Sequence, residues 1–155
     1  MPTRIIRQPE HIDALADLLR GLKLPVTVSW EKGAPRRNAQ NRLSFRWYQD
    51  IARHFGDRTV EEVRATCKVR QGMPILSRDS EPMHMSFKNA FGGRTYEEII
   101  KIVEDLQIPV TSLMTVKQMS EYLNEVEREY RAQGVYLTDP EALRWEQEFG
   151  PMESN

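Results

Sequence analysis

Cysteine is almost missing from this chain: Cys67 is the only one in 155 residues. A single thiol cannot close an internal disulfide, and it cannot supply the cysteine pairs of a structural zinc site. Histidine is nearly as scarce. His11, His54 and His84 are scattered along the chain, a poor start for a metal centre or a nucleophilic relay. No apolar run is long enough to cross a membrane as a helix. The opening MPTRIIRQPEH has no apolar secretory core, so a cytoplasmic protein is expected. Internal repeats and low-complexity tracts are absent. What remains is an ordinary globular composition, 39% hydrophobic and 29% charged, at a length that suits one domain over 1–155.

The net charge of −1 hides an asymmetry. Residues 1–94 hold 17 Lys and Arg against 10 Asp and Glu, whereas 95–155 hold 5 against 13. The halves therefore carry +7 and −8. Such a split fits either a polyanionic partner for the first part or attraction between the halves, within or between subunits.

Residues 3–7 and 26–30 are β-prone and read as strands on either side of an amphipathic helix over 9–22, in which Ile12, Leu15, Leu19 and Leu22 recur at helical spacing. This predicts a right-handed βαβ unit. The expected fold class is α+β: a small β-sheet from that N-terminal unit, packed with a mainly helical remainder. A long helix is predicted over 38–55. Thr59 with Glu62, Thr95 with Glu98 and Thr115 with Gln118 have the spacing of helix-starting caps, and Asp139-Pro140 opens a last helix. Residues 71–93 mix Pro, Gly, Ser and Met and read as a loop-rich excursion with one helical turn.

The basic charge is densest in RRNAQNRLSFRWYQDIARHF, residues 36–55, which holds Arg36, Arg37, Arg42, Arg46 and Arg53. On a helical wheel with Leu43 at 0°, Trp47, Ile51, Phe55 and Tyr48 fall at about 40°, 80°, 120° and 140°. That arc faces a core. Gln49, Arg42, Arg53 and Arg46 fall at about 240°, 260°, 280° and 300°, a narrow stripe on the other side. A stripe of this kind is either a solvated face, salt-bridged to acidic neighbours, or a phosphate-binding surface. Arg36, Arg37, Asn38, Gln40 and Asn41 at the helix entrance favour the second, because guanidinium groups bind phosphate in pairs of hydrogen bonds. Phe45, near 200° on the wheel, offers either a stacking surface for an unpaired base or a packing contact with another element.

The pattern Arg37-Asn-Ala-Gln40-Asn41-Arg42, with Phe45 and then Asp50-Ile51-Ala52, resembles the NinB family of phage recombination proteins. The likeness covers most of the chain, from the predicted strands in RIIRQP and VTVSW through this helix to Val110-Thr-Ser-Leu-Met114, the helix after Thr115, and Gly134-Val-Tyr136. Departures are Leu43 where the family has lysine, Phe45 at the usual tryptophan position, and residues 71–94. The resemblance implies a recombination mediator of phage or prophage origin in a bacterial host cell. Such a protein binds single-stranded DNA, acts with single-strand-binding protein to load a recombinase, forms a homodimer, and needs no cofactor or metal. The alternatives are a metal-dependent nuclease using Asp50, Asp57, Asp79 and Glu81, and a helix-turn-helix regulator built on the helices at 38–55 and 59–70.

Overall fold

The computed structural model describes residue 4, residues 6–30 and residues 36–150, the side chains of 36–38 excepted. The chain divides into two units, Met1–Pro35 and Arg36–Asn155. The described part of the first is one helix, α1 (Pro9–Arg20), followed by irregular backbone. Pro9 sits at its first position and none of its residues is buried.

The second unit is helical: α2 (Arg36–Phe55), α3 (Val60–Cys67), a π-helical turn (Lys68–Gly72), α4 (Met73–Asp79), α5 (Glu81–Phe91), α6 (Tyr96–Leu106), a 3₁₀ turn (Thr111–Leu113), α7 (Val116–Ala132) and α8 (Pro140–Phe149). Local chemistry starts most of these elements. Thr59 Oγ1 accepts from Glu62 N at 3.1 Å, and Thr95 Oγ1 from Glu98 N at 3.2 Å. Thr115 and Gln118 satisfy each other's backbone N–H groups, at 2.9 and 3.1 Å, in a complete capping box. Asp139 caps α8 through Glu141 N at 2.7 Å.

The α+β expectation is overturned. Among the described residues there is no strand and no sheet. Thr3 and Ile5 of the first predicted strand lie outside the described residues, and Arg4, Ile6 and Arg7 are irregular. The second predicted strand, residues 26–30, is irregular too, with Val28 and Trp30 exposed. β-Propensity reflects packing on a pleated, half-buried surface, and two short segments without further strands have no such surface to join.

The predicted loop at 71–93 is also different: it forms the end of the π turn, α4 and α5. Pro74 and Pro82 lie in the first turns of α4 and α5, where a missing N–H costs nothing. Ser80 caps α5 by accepting from Met83 N at 3.3 Å.

The core of this unit gathers Trp47, Tyr48 and Ile51 from α2, Val63 and Cys67 from α3, and Met119, Tyr122, Leu123, Val126 and Tyr130 from α7. α7 thus spends its apolar face on the chain's own interior. At the centre the Tyr48 and Tyr122 hydroxyls share a hydrogen bond of 2.6 Å, and Cys67 Sγ donates to the Tyr130 hydroxyl at 3.8 Å. Burial pushes all four groups toward their protonated forms, the Cys67 thiol up to about 12.

Gly72 is required by packing rather than by a turn. A Cβ there would stand 2.8 Å from Val110 Cγ1. The π turn and the segment after α6 therefore approach closer than any side chain permits.

Candidate nucleic-acid interface

α2 lies as the wheel predicts. Trp47, Tyr48 and Ile51 are buried, whereas Arg42 and Arg53 are exposed. Two polar residues, Ser44 and Asp50, are nevertheless buried as well. Asp50 is buried and accepts from the backbone N–H and the hydroxyl of Thr138, both at 2.7 Å. Trp47 Nε1 donates to the Thr138 carbonyl at 2.8 Å. One residue of the strap between α7 and α8 is thus clasped by two side chains one turn apart on α2, and the strap delivers α8 to α2.

This placement divides the stripe. Arg46 is half-buried and ion-paired with Glu146 of α8. Among the described residues Arg42 and Arg53 make no ion pair and no side-chain hydrogen bond. Gln40 turns toward α7, donating through Nε2 to Ser120 Oγ at 2.8 Å. The helix backbone runs through Arg36, Arg37 and Asn38, whose side chains lie outside the described residues.

The remaining predicted residues converge. Asn41, Arg42, Phe45, Arg46 and Gln49 line one open depression of about 350 Å³, completed by Leu143 and Gln147 of α8. Phe45 is 47% exposed, so its ring is available on the wall of this depression. Asn41, Gln49 and Gln147 bring amides to the same depression as the apolar Phe45 and Leu143, and Arg42 brings a positive charge. The arrangement offers a ring to stack on, amides that both donate and accept, and unpaired positive charge nearby.

Leu143 and Gln147 escape sequence reasoning. They share a face of α8 at i, i+4 spacing, but nothing local says that this face meets α2 some hundred residues earlier.

The carboxylates weighed for a nuclease do not come together. Asp50 is held by Thr138, Asp57 by Arg58 at 2.7 Å, and Asp79 by Arg78 at 2.8 Å. Among the described residues no three acidic, histidine or cysteine side chains cluster as a metal site. His54 is exposed and lies edge-on to Phe55 at 4.9 Å. No described helix is long and apolar enough to cross a membrane.

Comparison with protein-family models, with curated proteins and with solved structures gives no match.

Proposed function

We propose that this chain binds single-stranded DNA along the outer face of α2 and serves as a recombination mediator in a bacterial cell. The observation that carries the binding half is the depression beside Phe45. The unpaired Arg42 there adjoins an exposed ring and a set of amides, the combination that takes a strand by its phosphates and stacks its bases. The mediator half, together with single-strand-binding protein as partner and a homodimer as the working form, rests on the NinB resemblance of residues 37–52 and 110–136.

Duplex reading is the less favourable geometry. In a helix-turn-helix the second helix presents its N-terminal residues to base edges. Here that helix is α3, whose exposed first turn carries Glu61 and Glu62, and both would face phosphate.

The test is a binding titration with single-stranded, gapped and duplex DNA across a salt series. Tighter binding to single strands, weakening steeply with salt, is the expected result. Preference for duplex, or affinity indifferent to salt, would overturn the proposal.

A further inference from the structure

Lys68 is a buried cation with no ion pair among the described residues. The residue is 6% exposed, and its only side-chain hydrogen bond within the described structure is from Nζ to the Ile108 carbonyl at 3.1 Å. Burial lowers its pKa and the neighbouring Arg64 lowers it further, while the charge of Glu61 offsets part of this. Ammonium groups are seldom placed this way, because an unpaired charge away from water is costly. Arg64, one turn before it, likewise has no ion pair among the described residues.

Both side chains line a cavity of about 160 Å³ between α3 and the segment following α6, with Gln107 and Thr111 on the facing wall. The wall is held in place. Lys68 binds the carbonyl of Ile108, and two residues on Val110 fills the space left by Gly72. Lys68 is the first residue of the π-helical turn, a local irregularity that recurs at functional sites.

Glu61 and Glu104 also border the cavity, yet neither pairs with Arg64 or Lys68. A carboxylate beside an anion site repels a fully deprotonated guest. It accepts a hydrogen bond from a guest that still carries a proton.

We propose that this cavity is a binding site for a protonated phosphate-type oxyanion, with Lys68 and Arg64 donating to its oxygens and Glu61 or Glu104 accepting from its P–OH group. The guest is either free phosphate or the terminal phosphate of a nucleic-acid strand. Its chemistry separates it from sulfate, which has no proton to give at neutral pH. The site does not depend on the DNA-binding face of α2.

Inorganic phosphate is titrated into the intact protein at constant ionic strength, following backbone amide shifts and thermal midpoint, with sulfate as the parallel arm. Saturable shifts at residues 107–112 and a rise in midpoint with phosphate are expected, with sulfate weaker by about tenfold, the scale of one charge-assisted hydrogen bond. Arg64→Gln, at an exposed position, should fold normally and weaken phosphate by about tenfold. Lys68→Met, which fills the same space, should abolish the response while the Arg42→Ala/Arg53→Ala protein keeps it. Strands with and without a 5′-phosphate identify the source: a preference lost in Arg64→Gln marks a terminal phosphate, and equal affinity marks the free ion. Equal responses to sulfate and phosphate, shifts spread over surface arginines, or an unaltered response in folded Arg64→Gln would overturn the site.

Discussion

Asp50 and Thr138 lie 88 residues apart in sequence, and two hydrogen bonds of 2.7 Å converge from the threonine onto one carboxylate oxygen. Asp50→Ala removes the acceptor and strands both donors in a half-buried site. Unfolding free energy should fall by about 2–3 kcal/mol, as for buried bonds to a charged group. Asp50→Asn keeps one acceptor oxygen and should lose about half as much. Denaturant melts of the three proteins measure the difference; equal stability of wild type and Asp50→Ala would contradict this role.

The arginines of α2 should separate by partner. Arg42→Ala/Arg53→Ala should leave folding intact, weaken single-strand binding across sequences, and reduce the salt slope by about 0.7 for each phosphate that is no longer neutralised. Arg46→Ala breaks the Glu146 pair, so its effect should fall on stability, at up to about 1 kcal/mol, more than on binding. Phe45→Ala should cost about 1–3 kcal/mol of binding. Unchanged affinity in the folded double variant would return the stripe to a solvated face.

Alkaline pH should unfold the protein early. Tyr48, Tyr122 and Tyr130 have pKa values raised well above 10.0, and Cys67 rises from 9.0 to about 12. Below pH 9 these groups are protonated in both states and stability is unaffected. Above it the unfolded chain releases protons that the folded chain keeps, so stability falls as pH rises. Cys67 alone should cost roughly 3–4 kcal/mol by pH 12 and the tyrosines add to it, so denaturant titrations should show a loss of more than about 4 kcal/mol between pH 9 and pH 12. Lys68, with its lowered value, acts in the opposite direction, so Lys68→Met should steepen the fall.

Gly72→Ala should be destabilising by about 1–3 kcal/mol through overpacking, since the new methyl meets Val110. Val110→Ala in the same chain should recover part of that loss. A thermal midpoint unmoved by Gly72→Ala would show that the two segments can part freely.

Helix starts were legible because they are local. Thr59, Thr95, Thr115 and Asp139 each bind a backbone group two or three residues away, and sequence spacing contains all of that information. The strands failed for the converse reason: pairing is non-local, and a β-prone run such as 26–30 cannot report that its partners are missing. Pro74 and Pro82 misled because a proline that opens a helix looks, in sequence, like one that breaks it. The two faces of α2 followed from the wheel alone. That Arg46 meets Glu146, that Gln40 meets Ser120, and that α8 supplies Leu143 and Gln147 are products of tertiary packing.

The π turn sets the phase of everything after it. An uninterrupted α-helix continuing the inward seam of Val63 and Cys67 would next carry Arg70 or Gln71, then Pro74 and Arg78, into the interior. One additional residue per turn rotates the following segment by about 100°, and Gly72, Met73 and Leu76 turn inward instead, leaving Arg70, Pro74 and Arg78 exposed. Residues 60–79 are thus a single rod written in two reading frames. Losing one residue between 68 and 72 would restore a plain α-helix with both inward seams still in phase, whereas keeping all five in an α-turn would swing the second half away from the core by about 100°.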